Sequence, residues 1–146
     1  MRIQASSHLQ LKTIYIESCT FLGQVIFYNC SLNGDFHMGD CNFLAYVNFI
    51  YTNFKGKAYF ANLVFVDDVD FTESNFYKES TIWLSIFCKS LIFDNATFHQ
   101  NSIISEINFL EINLNNMKSL QLGLLKLSGI KNSSLIENYF KKIVLN

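Results

Sequence analysis

Cysteine, histidine and clustered carboxylates are the residues of this 146-residue chain whose types could do chemistry. Cys19, Cys30 and Cys41 stand eleven apart, and Cys88 stands alone. A thiolate is a nucleophile and a soft metal ligand, but either role needs a neighbouring base or further ligands at short spacing. No CxxC pair occurs, and no His falls near the cysteines at metal spacing. The eleven-spaced cysteines therefore read as small buried apolar side chains, and reduced buried thiols point to the cytoplasm. Asp67, Asp68, Asp70 and Glu73 could pair for general acid–base work or hold a cation. With no His or Lys converging on them, they read as a solvated turn. His8, His37 and His99 share no spacing that suggests a catalytic site, and Gly123 and Gly129 form no phosphate loop. No catalytic residue, cofactor-binding residue or metal ligand is assigned, and no enzymatic activity is expected.

The element that positions these residues is a repeat. Steps of six and five residues from Phe21 land on Phe21, Phe27, Leu32, Met38, Phe43, Phe49, Phe54, Phe60, Phe65, Phe71, Phe76, Ile82, Phe87, Phe93, Phe98, Ile104 and Phe109. Every stop is apolar, and they take up all but two of the 15 Phe in the chain. A continuous helix needs apolar positions three and four apart, and a strand alternates. Spacings of five and six fit neither. They fit short extended segments joined by turns, each sending one large side chain inward, coiled so that equivalent side chains stack. Four columns result: Phe21, Phe43, Phe65, Phe87 and Phe109; then Phe27, Phe49, Phe71 and Phe93; then Leu32, Phe54, Phe76 and Phe98; then Met38, Phe60, Ile82 and Ile104. Residues 1–8 read as a lead-in, and Leu9, Leu11, Ile14 and Ile16 as the first coil.

Two residues before many stops stands a small side chain: Cys30, Thr52, Ser74 and Ala96 in one column, Cys19, Cys41 and Ser85 in another. The residue between is often Asn, Asp or Thr, as in Thr52-Asn53-Phe54, Ser74-Asn75-Phe76 and Ala96-Thr97-Phe98. This unit resembles the pentapeptide-repeat family, whose motif is small, then Asp or Asn, then Leu or Phe, then two variable residues. The eleven-residue form, two units plus one inserted residue, looks like the Phe-rich branch. The resemblance covers residues 9 to 116. It implies an all-β solenoid, a right-handed four-sided parallel β-helix of about four to five coils, here of about 22 residues. Two sides of each coil should then carry a bulge or a wider turn.

Outward positions are mostly polar, with one exception. Leu22, Leu44, Val66, Cys88 and Leu110 follow the first column, and Val64 and Ile86 lie on the same side. An apolar stripe of this length is expected to be covered by another surface, either the C-terminal segment or a second subunit. After Phe109 the phase breaks. Residues 1–116 carry six basic and eleven acidic residues (−5), and residues 117–146 carry five basic and one acidic (+4). The chain thus divides into a β-helix over 1–116 and a C-terminal helical segment over 117–146, a cap or dimerisation element. Ser134 and Glu137 form a capping-box pattern, and Leu135, Ile136, Tyr139, Phe140, Ile143 and Val144 recur at helical spacing, so 133–145 is expected as an amphipathic helix. For 117–128 a second helix is preferred over a further coil running through Leu120 and Leu125.

A net charge of −1 gives no electrostatic footprint for nucleic acid, and no apolar run is long enough to span a bilayer. No basic segment followed by an apolar core opens the chain, so no secretory signal is read. The expected function is a non-enzymatic scaffold or protein-interaction module, with a protein partner or a second copy in a homodimer, and with neither direct nucleic-acid nor membrane binding. The resemblance implies an alternative, a mimic of duplex DNA that binds or protects DNA gyrase. A further alternative is an accessory domain of a larger effector or enzyme.

Overall fold

The computed structural model describes residues 13–113, 118–119 and 125–128. They form an all-β parallel solenoid of about four coils, with about 22 residues per coil. Each coil contributes four runs of strand. One side is built from Thr13–Glu17, Asp35–Gly39, Ala58–Ala61, Ser80–Trp83, Ser102–Ser105 and Leu125–Ser128, in that spatial order. The next side holds Thr20–Phe21, Asn42–Phe43, Val64–Phe65 and the start of Ile86–Ile92. Ile86–Ile92 runs through the corner and joins this side to the third, built on Val25–Ile26, Val47–Asn48 and Val69–Asp70. The fourth side is Ser31–Leu32, Asn53–Phe54, Asn75–Phe76, Thr97–Phe98 and Lys118–Ser119.

Strand partners are offset by one coil, as in Ile14↔Phe36↔Ala58↔Ser80↔Ser102 and Phe21↔Phe43↔Phe65↔Phe87↔Phe109. This register stacks Phe over Phe in three of the four columns, whereas Phe36 lies over Ala58 and Phe60 over Ile82. Phe43 and Phe65 stack with centroids 4.8 Å apart and planes 14° from parallel, Phe49 and Phe71 at 4.8 Å and 4°, and Phe76 and Phe98 at 4.6 Å and 3°. Between columns the rings meet edge to face, Phe60 against Phe71 at 86°. Both geometries suit the aromatic quadrupole. The centre of the solenoid is therefore a dry aromatic core, with the Val25, Val47, Val69 and Leu91 file filling one wall.

The widened corners have a single cause. Ser18, Asn29, Asp40, Tyr51, Asn62, Glu73, Leu84, Asn95 and Glu106 all adopt φ between 49° and 59°. They recur every eleven residues, so two of the four corners in each coil turn through the left-handed region. That region costs a Cβ-bearing residue energy, least for Asn and Asp. The corner at Tyr51 is closed by the Thr52 N–H donating to the Phe49 carbonyl at 3.0 Å, and Ser74 to Phe71 and Ala96 to Phe93 repeat it. At another corner two backbones nearly touch. A Cβ built on Gly56 would lie 2.4 Å from the Gly34 carbonyl, so only glycine fits there.

The phase break is real and local. Phe87 pairs Phe109, but Ser90 pairs Glu111, so one residue is lost between them. Thr97 then pairs Lys118, and Ser102 pairs Leu125. The helix expected over 117–128 is thus corrected: Lys118–Ser119 and Leu125–Ser128 are strands of the solenoid, which runs past residue 116. The physical reason is the exposed ladder of Thr97–Phe98 and Ser102–Ser105, whose N–H and C=O groups need partners. A helix of about twelve residues is marginal by itself, so periodicity yields to that ladder. The helix expected over 133–145 lies outside the described residues.

Candidate interaction surface

Cys19, Cys30 and Cys41 each follow a left-handed corner residue, whereas Cys88 lies on the strand Ile86–Ile92. Cys41 Sγ lies 2.9 Å from the Gly39 carbonyl oxygen, to which it donates, and accepts the Cys19 N–H at 3.4 Å. Two coils on, Ser85 Oγ donates to the Trp83 carbonyl at 2.9 Å and accepts the Leu63 N–H at 3.2 Å. The left-handed residue before each of these side chains turns the backbone away from its ladder, and the side chain replaces the missing backbone partner. Cys30 and Cys41 are buried, whereas Cys19, in the first described coil, and Cys88 are exposed. Among the described residues no cysteine is disulfide-bonded. Burial, the largest influence, pushes the Cys41 thiol above its ordinary value, away from a reactive thiolate.

The carboxylates are consumed in the same way. Asp68 Oδ1 accepts the Ser90 N–H at 3.0 Å, and Asp35 Oδ1 the Lys57 N–H at 2.8 Å, each bridging one coil to the next. Asp70 accepts the Thr72 N–H at 2.8 Å and the Tyr46 hydroxyl at 3.2 Å. Burial first, and the Asp70 charge second, push the Tyr46 phenol well above its usual range. Asp67 accepts from Lys89 Nζ at 2.6 Å, and this bond holds its carboxyl below the ordinary value. Asp40 accepts from Asn62 one coil away. Asp67, Asp68 and Asp70 thus link coils, whereas Glu73 stands at a left-handed corner. The structure does not gather these carboxylates around a site, and among the described residues no group of three or more His, Cys, Asp or Glu could hold a metal ion. His37 stacks between Tyr15 and Tyr59, with centroids 4.5 and 4.8 Å away, and His99 lies on Tyr77 at 4.4 Å. His8 lies outside the described residues.

The apolar stripe is where the register predicts it. Leu22, Leu44, Val66 and Cys88 form one outward file, coil over coil, with the Leu44 N–H on the Phe21 carbonyl and the Val66 N–H on the Phe43 carbonyl, both at 2.9 Å. Leu22 is 77% exposed, Leu44 45% and Val66 42%. Val64 and Ile86 pair in the neighbouring file; Ile86 is exposed and Val64 half-buried. Leu110 sits on the strand Asn108–Asn113, and its side chain lies outside the described residues. The structure adds two residues to this face. Trp83 and Leu84 precede Ile86 around the corner, and both are exposed. Leu84 stands at a left-handed position that Asn29, Asn62 and Asn95 fill elsewhere. The signal was present in the sequence as an eleven-residue corner column, legible only once the corners are known.

Among the described residues no helix is long and apolar enough to cross a membrane. No family model, curated protein or solved structure matches the chain.

Proposed function

We propose that this chain is a non-enzymatic solenoid scaffold of the pentapeptide-repeat type that binds a protein partner through the outward apolar file at Leu22, Leu44 and Val66. The observation that carries this reading is the exposure of three large apolar side chains aligned in one file over successive coils. Apolar side chains aligned over successive coils offer a rigid, flat surface, and such patches mark protein contacts. A structural rather than catalytic role is supported for Cys41, Asp35 and Asp68 by their coil-to-coil bonds. Thiols serving as hydrogen-bond donors must stay reduced, which suits a cytoplasmic location.

The test is a comparison of the intact chain with Leu44→Glu/Val66→Glu. Partners, including a second copy, are quantified by co-purification and by light scattering over a range of concentrations. The reading requires at least one bound species or oligomer to be lost in the double variant. Identical binding and oligomeric state in both proteins would remove the file as an interface.

A further inference from the structure

We infer that residues 129–146 of the same chain dock on the corner formed by Trp83, Leu84 and Ile86, next to the apolar file. The inference rests on reading that face as a docking surface, and it names the occupant. Three observations converge. The first is Leu84 itself. Its backbone is left-handed at φ 49°, and its side chain is 45% exposed. A leucine there combines backbone strain with solvent-exposed apolar area, and Asn would relieve both. Trp83 and Ile86 flank it, each 43% exposed, so one corner presents three large apolar side chains together.

The second observation is where the described strands end. Trp83 pairs Ser105, and Ser105 pairs Ser128. Ser128 therefore lies two strands from Trp83 in the same column, about 10 Å away at ordinary strand spacing. Residues 129–146 continue from that point, with an extended reach on the order of 60 Å. The third observation is charge. In the three columns around the corner Glu106 lies one coil from Leu84, Asp40 two coils from Leu84 and Glu17 three coils from Trp83, and these columns hold no Lys or Arg. Residues 129–146 carry Lys131, Lys141 and Lys142 against Glu137, together with the apolar residues Ile136, Tyr139, Phe140 and Ile143. An apolar, basic segment thus begins beside an apolar corner whose nearest charge in those columns is the carboxylate of Glu106.

Trp83 is the only tryptophan in the chain, so its fluorescence reports the corner directly. Acrylamide quenching is measured on the full chain, on Phe140→Glu and on Leu84→Asn, with light scattering at each concentration. The expected result is a Trp83 shielded in the monomeric full chain and a loss of shielding in both variants. Leu84→Asn places at this corner the residue found at positions 29, 62 and 95, so the fold is kept even if Phe140→Glu perturbs it. Equal quenching in the full chain and in Leu84→Asn overturns the inference and leaves the surface open to an external partner. Shielding that appears only at concentrations where the chain associates also overturns it, with a second copy as the occupant. Neither outcome bears on the Leu44→Glu/Val66→Glu comparison, so the two readings fail separately.

Discussion

The backbone N–H of Cys19 ends on the sulfur of Cys41, 3.4 Å away and one coil further along the chain. The Leu63 N–H ends on Ser85 Oγ in the same manner. Sulfur and oxygen are interchangeable here because both donate to the carbonyl two residues earlier and accept from the coil before. Cys41→Ser is expected to keep stability within about 1 kcal/mol, whereas Ser85→Ala should cost about 1–3 kcal/mol by stranding the Leu63 N–H. Ser74 makes the contrast: among the described residues its buried Oγ has no hydrogen-bond partner. Ser74→Ala should be neutral or stabilising. Denaturant midpoints for the three variants decide the matter, and a Ser74→Ala loss as large as that of Ser85→Ala would sink the account.

Alkali should weaken the fold through Cys41. Burial raises its thiol pKa above the ordinary value, so the folded state favours the neutral thiol. The contribution is fully present below the unfolded-state pKa and is lost as pH rises past it through the folded value. Stability measured from pH 7 to 10 should fall less steeply in Cys41→Ser than in the native chain.

Two glycines should respond to alanine in opposite ways. A Cβ on Gly39 would meet only ordinary contacts at 3.9 Å, and its backbone needs no positive φ. Gly39→Ala should be neutral or stabilise by up to about 1 kcal/mol through the unfolded chain. A Cβ on Gly56 would lie 2.4 Å from the Gly34 backbone, which cannot rotate away. Gly56→Ala should cost about 1–3 kcal/mol, and thermal melts of the two variants give the comparison.

The aromatic columns should dominate stability. Phe54 and Phe65 are buried, and each stacks on the ring of the next coil, Phe54 on Phe76 at 4.7 Å and Phe65 on Phe87 at 5.0 Å. Phe65→Ala or Phe54→Ala should cost about 3–5 kcal/mol. Val66→Ala, one residue outward, should cost far less. Equal losses at positions 65 and 66 would mean that the outward file is already covered in the isolated chain.

The sequence by itself determined the coil. Large apolar residues at steps of five and six admit few solutions, and the stacking of Phe21, Phe43, Phe65 and Phe87 follows from the period alone. The outward stripe from Leu22 to Cys88 was legible for the same reason, because residues next to an inward position must face outward in a strand. Three things were decided only by the tertiary structure. Cys41 and Ser85 turned out to be polar partners, because a left-handed corner removes a backbone acceptor that no spacing reveals. Residues 118–119 and 125–128 became strands, since an open ladder outweighs a weak helical period. Trp83 and Leu84 came beside Ile86 because the chain turns between them, and a turn brings together side chains that a linear pattern keeps apart.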